Sequence, residues 1–477
     1  MAIHDLAVEN FGAIMSHSNK SALLALSTTC KSVHGLVVPL IYEDLTWDFS
    51  TASKGPDIHL LIRTLLHCPK LCEHVRRISV QGPRRKALHV WAGGVRPSKQ
   101  EAVTIASSVT IPGHDSSAVA ALIYDSVPEA LVAIVLCLSH SLHSFDVGPE
   151  FLVNIGREAE PPVSQIILPS LKSLRNLRNI NWGADSRSRP LPTDSTDIVS
   201  VLQLPSIESV TLKIQDRGAS SLWVGIIPTL RQLKHLVLSR SIVTEEFLAE
   251  LLAATPHLEA FSLDLLWDAS PDDEKRSSFV DCAKLRGALD GSLISTQRAI
   301  HGEDVALAAP GLLLLRSLII SIDFFSEVAM ELSDGGTSEP DPVTGDEFCL
   351  AGWGQSGRLG SLHSLPRLES LEVGIAPLLG WFPDSANALA SVLPPGLRSL
   401  TIRDDFGSFQ SYGWTHSAIH SKLEFHIQSS ALPHLTSFTL RYTESNPAAY
   451  GSGLQAIEHT LNAAGIKFTL ENDCPWG

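Results

Sequence analysis

The sequence predicts an α/β chain, a curved solenoid of repeated strand–turn–helix units behind a short all-helical N-terminal module. Three observations predict it. The pattern apolar-x-x-apolar-x-apolar recurs ten times along the chain. Leucine supplies 68 of 477 residues while aromatics are 6% and charged residues 18%, so one small aliphatic core unit is rebuilt many times. Ahead of the first copy, the first fifty residues carry helical spacing instead.

The helical module spans 1–50. Ser18 or Asn19 can cap a helix. Leu23, Leu26, Cys30 and Val33 follow at steps of 3, 4 and 3, one helical face. The helix gives out near Gly35, with Pro39 as the hard break. Leu6, Phe11 and Ile14 suggest a shorter helix packed on it, and Leu40-Ile41-Tyr42 leads on towards Leu45 and Trp47.

A neck with the first degenerate repeats follows at 51–140, then the main repeat region at 141–477. Copies stand at Val75/Ile78/Val80, Leu142/Phe145/Val147, Leu177/Ile180/Trp182, Ile207/Val210/Leu212 and Leu233/Leu236/Leu238. They continue at Leu258/Phe261/Leu263, Leu315/Leu318/Ile320, Leu368/Leu371/Val373, Leu397/Leu400/Ile402 and Leu435/Phe438/Leu440. Short spacings run from 25 to 38 residues, and the longer ones fit two repeats or an insertion. The last two apolar positions differ by two, so both point to one face of a strand, while the first lies on the turn leading in. Pro205, Pro256, Pro366, Pro394 and Pro433 precede copies and end the preceding element. Between strands the period turns helical. Thr244-Glu245-Glu246 caps a helix whose apolar face is Phe247, Leu248, Leu251 and Leu252, and 454–464 reads alike before Gly465. Ile466, Phe468 and Leu470 then alternate as a last strand. Insertions fall at 264–310, with a helix around 279–289, and at 323–360.

Such a unit is similar to the leucine-rich repeat. The Asn or Cys ladder of the full version is absent, since Lys213, Ser239, Asp264, Ser321, Gly374, Arg403 and Arg441 follow the strands.

Charge excludes some classes. The formal balance is −15 with a pI near 5.7, against the positive field that phosphate binding needs, so no nucleic-acid partner is expected. That balance averages a basic block at 63–99 and an acidic one at 323–347. No run of 18 apolar residues exists, 130–138 being half a span, so no membrane association is expected. There is no leader-like N-terminus, and seven scattered cysteines fit a reduced compartment, cytoplasmic or nuclear.

Four sequence patterns bear on catalytic chemistry. Gly352-Trp353-Gly354-Gln355-Ser356-Gly357 matches the dinucleotide fingerprint but lacks the strand before it and the helix after it. In His67-Cys68-(x3)-Cys72-x-His74 the cysteines share a helical face but His67 points away, and Leu65, Leu66 and Leu71 make them core thiols. Neither a nucleophile elbow nor a P-loop is present. The expectation is a non-enzyme with no metal, no cofactor and no catalytic residue.

Leu6-Ala7-Val8-Glu9, Ile14, Ser21-Ala22-Leu23-Leu24-Ala25-Leu26-Ser27, Cys30-Lys31-Ser32-Val33-His34 and Val38-Pro39-Leu40-Ile41-Tyr42 together resemble the degenerate F-box of fungal F-box/leucine-rich-repeat proteins. Ala7 stands where that family carries Pro, and Val33 where it carries Trp. Leu378-Leu379-Gly380-Trp381 and the stretch 392–401 also read as in such proteins. The resemblance implies a helical knob that docks the adaptor subunit of an SCF-type, cullin-based ubiquitin ligase through Leu6, Val8, Glu9, Ile14, Leu23, Leu26, Cys30 and Val33. The repeats would then hold a protein substrate. Exposed positions between the repeat leucines would line that face, namely Glu208, Lys234, His235, Glu259, Arg316, Glu369 and Arg398. The alternative is a leucine-rich-repeat scaffold whose N-terminal helices only cap the solenoid.

Overall fold

A computed structural model describes residues 14–15, 17–49, 57–82, 97–152, 163–184, 195–214, 223, 227–266, 280–293, 312–323, 355–380, 382–404, 414, 418–422, 432–442 and 451–472. The chain divides into two compact units, Met1–Ser188 with Thr196–Thr211, and Arg189–Ser195 with Leu212–Gly477. The architecture is mixed α/β, and every described pairing among its twelve principal strands is parallel.

In the first unit the strands are β1 (Asp44–Asp48), β2 (Arg77–Gln81), β3 (Ser144–Val147), β4 (Asn179–Trp182) and β5 (Ser209–Leu212), neighbours in chain order. In the second they are β6 (His235–Ser241), β7 (Ala260–Leu266), β8 (Ser317–Asp323), β9 (Ser370–Gly374), β10 (Ser399–Asp404), β11 (Ser437–Tyr442) and β12 (Lys467–Asn472), again in chain order. All ten sequence copies lie on these strands and the turns before them, and all thirty of their apolar positions are buried.

Register follows the repeat. Ile78 pairs with Phe145 and Phe145 with Ile180; Leu371 pairs with Leu400, Leu400 with Phe438 and Phe438 with Phe468. A slip of one residue would turn each apolar set outward, so burial of one face holds the register. The entry turn recurs too. The Leu204, Thr255, Leu365, Pro394 and Leu432 carbonyls accept from the amides of Ile207, Leu258, Leu368, Leu397 and Leu435 at 3.1–3.4 Å. Each turn carries proline at its second residue, where the fixed φ favours it.

The N-terminal segment differs from the single expected helix. Lys20–Ser27 and Lys31–Glu43 are two helices, α1 and α2. Asn19 caps α1, accepting from the Ala22 amide at 2.9 Å. The break falls at Thr28–Cys30 because the Ser27, Thr28 and Thr29 hydroxyls bond back to the Leu24, Ala25 and Leu26 carbonyls, and Cys30 is extended. Pro39 lies inside α2 rather than ending it. α2 runs directly into β1, whose Leu45 and Trp47 are buried as in the other strands. Tyr42/Leu45/Trp47 is therefore a further copy of the repeat that the sequence reading passed over.

The apolar stretch 130–138 forms most of α3 (Pro128–Leu138), buried on every side from Pro128 to Leu136. A helix apolar all round belongs in a core. It packs against the Val163–Leu171 and Ile58–His67 helices, in the first unit. Among the described residues, no helix is long and apolar enough to cross a membrane. The Ile58–His67 helix stops before Pro69, so the expected Cys68/Cys72 face does not form. Cys68 is exposed, and Cys72 is buried in the turn Pro69–His74. The expected helix near 279–289 is α5 (Cys282–Asp290), and the capped helix after Thr244 is α4 (Glu245–Ala253).

His59, on the Ile58–His67 helix, is 1% exposed, and neither ring nitrogen has a hydrogen-bond partner among the described residues. Burial pulls its pKa below the ordinary 6.5, outweighing the pull of Asp57 and Glu101 in the other direction, and Arg63 adds to the lowering. The neutral ring is thus the folded form. Stability should be full above pH 6.5 and fall as pH drops below it, by up to about 1.4 kcal/mol per pH unit, until the folded ring itself protonates. Unfolding midpoints measured from pH 7.5 to 5 check this, with the His59→Leu chain expected to show a flatter slope.

Candidate functional site

Two surfaces carry side chains with no evident packing role. The first is the α1–α2 pair. Its core is Met15, Leu23, Val33 and Val37, with Leu26, Leu40 and Ile41 packed against it. Leu23 and Val33, both expected at an adaptor interface, therefore point into the pair. Leu26 is half-buried, while Ile14 and Cys30 are exposed. Leu6, Val8 and Glu9 lie outside the described residues. The pair nevertheless leaves Ile14 54%, Leu24 53% and Leu36 42% exposed, large aliphatic side chains in water within one small module. Leu24 and Leu36 were not singled out in sequence. Each lies about 100° round its helix from a core residue, Leu23 or Val37, which the 3.6 period could have shown. α2 also packs on the turn Pro69–His74 and on β1.

The second surface is built by the strands. At the residue before eight of the described strands, one carbonyl receives two amides from the start of the next strand. In the first unit the Arg76 carbonyl accepts from His143 (2.8 Å) and Ser144 (3.1 Å), and the Arg178 carbonyl from Glu208 (2.8 Å) and Ser209 (2.9 Å). In the second unit Lys234 takes Glu259 and Ala260, Glu259 takes Arg316 and Ser317, Arg316 takes Glu369 and Ser370, and Glu369 takes Arg398 and Ser399, all at 2.8–3.1 Å. Each such carbonyl accepts twice, so the fork helps hold adjacent strands in register. It also stacks the side chains into columns. Five of the seven residues named from sequence, Lys234, Glu259, Arg316, Glu369 and Arg398, form one column in the second unit. Glu208 joins Arg76, His143 and Arg178 in the first. His235 is the neighbouring exposed position, the first residue of β6. Charges alternate down the second-unit column, and Arg178–Glu208 and Arg316–Glu369 are each at 3.6 Å. These pairs are exposed, and each stabilises by well under about 1 kcal/mol.

The sequence reading missed a tighter cluster on the strand faces of the second unit. Glu372 on β9 accepts from Arg403 of β10 (3.1 Å) and from Arg441 of β11, and Arg441 also donates to Glu471 of β12 (2.8 and 3.2 Å). Nearby, Ser317, Ser370, Ser399 and Ser437 are in register across four strands. Arg403 and Arg441 were noted only as departures from the Asn ladder. Aligning copies by position would have set them opposite one another.

Of the dinucleotide-like segment, Gly352, Trp353 and Gly354 lie outside the described residues. Gln355–Ser356 is a short strand paired with Val280–Asp281, Gly357 has φ +64°, and no helix begins over 357–369. Among the described residues no group of three or more His, Cys, Asp or Glu is placed to hold a metal. Buried Cys72 and Cys282 and half-buried Cys137 have thiols pushed up by desolvation, the opposite of a nucleophile. No protein-family model matches the chain, and the curated proteins include no match to it.

Proposed function

We propose that the chain is a non-catalytic interaction protein, a substrate-recognition subunit of an SCF-type ubiquitin ligase. In this reading α1 and α2 are an F-box-like knob that docks the adaptor. The strand–turn–helix units form a curved leucine-rich-repeat solenoid whose charged columns hold a protein substrate. The observation that carries the reading is the coexistence of thirty buried repeat positions in register with an N-terminal helix pair that keeps Ile14, Leu24 and Leu36 in water. Aliphatic side chains on a helical surface are the material of helix-in-groove recognition.

The test is retention of purified adaptor by the full-length chain, wild type against Leu24→Asp/Leu36→Asp. Two lost anchors of about 2 kcal/mol each predict a fall in affinity of several hundred-fold or more. Both side chains are exposed, so the unfolding midpoint should barely move. Absence of adaptor binding by the wild type ends the ligase reading. The contact of α2 with β1 and with Pro69–His74 favours a second reading, in which the helices cap a scaffold.

A further inference from the structure

We infer that the free edge of β12 pairs antiparallel with the same edge of a second copy of this chain, about a two-fold axis through Thr469. β12 is last in strand order, and among the described residues its only strand partner is β11. The Lys467 amide donates to the Thr436 carbonyl at 2.9 Å, so the backbone groups of Lys467, Thr469 and Glu471 are turned to β11. Those of Phe468, Leu470 and Asn472 alternate with them and face the open edge.

A two-fold centred on Thr469 sets Phe468 opposite Leu470 of the other copy. Both carry outward N–H and C=O groups, so they form a hydrogen-bonded pair, made twice by the symmetry. Their side chains lie on the apolar face. Phe468 already stacks on Phe438 with centroids 6.2 Å apart, whereas Leu470 is 36% exposed. The same register sets Lys467 opposite Glu471 at the closer, non-hydrogen-bonded sites, one opposite-charge pair on each side of the axis. Glu471 meets Arg441 through Oε2, which leaves Oε1 for the lysine of the other copy. Parallel pairing in the same register would put Lys467 against Lys467 and Glu471 against Glu471. A single edge lysine ordinarily discourages pairing. Here the strand carries its own complement four residues on, and only an antiparallel copy brings the two together. Six residues make a small interface, so the association is weak, roughly micromolar.

Sedimentation of the full chain over about 1 to 100 μM should show mass rising towards two chains. Lys467→Glu should weaken the apparent dissociation constant by about tenfold or more. The swap Lys467→Glu/Glu471→Lys should restore it to within about threefold. Leu470→Pro removes only an edge-facing N–H and should abolish the dimer while leaving the unfolding midpoint nearly in place. A one-chain mass throughout the range overturns the inference. So does a Lys467→Glu chain that dimerises like wild type, or a swap no tighter than the single variant.

Discussion

Phe438→Ala is expected to destabilise the second unit by about 4 kcal/mol. Phe438 is fully buried on β11, in register between Leu400 of β10 and Phe468 of β12, with its ring stacked on Phe468. Alanine removes the transfer contribution of the ring and leaves a cavity walled by strands whose own pairing prevents collapse. Leu435 and Leu440, buried in the same copy, cannot reach into it without leaving their own sites. Repeat packing concentrates the damage, because each unit leans on its neighbours. Urea unfolding with hydrogen exchange of β10–β12 should show the midpoint fall and protection lost first there. A shift no larger than that of half-exposed Thr439→Ala would mean that the stacked core has been misplaced.

Glu372→Gln is expected to cost about 2 kcal/mol, reduced from the fully buried case because the arginines keep some contact with water. Glu372 serves Arg403 and Arg441 at once, and all three side chains are mostly covered, at 13%, 19% and 27% exposure. Glutamine keeps the shape and one acceptor but removes the charge, leaving two guanidinium groups side by side. Arg441 retains Glu471, whereas Arg403 loses the charge of Glu372. The double variant Glu372→Gln/Arg403→Gln should therefore recover a large part of the loss. Denaturation of the four chains of this cycle, in low and high salt, measures the coupling, and the deficit of Glu372→Gln should shrink as salt rises. Strict additivity would show that the three groups do not act together.

Much of this was legible in the sequence because one physical rule repeats. A strand with one buried face needs apolar residues two apart, and the entry turn adds a third, so ten copies announced ten strands. The eleventh, Tyr42/Leu45/Trp47, was passed over because a helix runs straight into it with no intervening turn. The cap at Asn19, the cap at Thr244 and the last strand were equally local, each set by a side chain within three residues or by strict alternation. The break at Thr28–Cys30 is equally local, but the apolar spacing hides it. Leu23, Leu26, Cys30 and Val33 keep helical spacing across it, and only the back-bonding of three hydroxyls decides that the chain bends there. That bend turns Leu23 and Val33 inward and leaves Leu24 and Leu36 outward.

The sequence by itself determined the fold class, the repeat and which faces are apolar, because these follow from periodicities of two and 3.6 within a few residues. Only the tertiary structure decided which polar side chains meet. Glu372, Arg403, Arg441 and Glu471 lie 31, 38 and 30 residues apart along the chain, and parallel register closes those gaps. The forked hydrogen bonds that stack Lys234, Glu259, Arg316, Glu369 and Arg398 use backbone carbonyls, which every residue carries, so no side-chain pattern could have announced them.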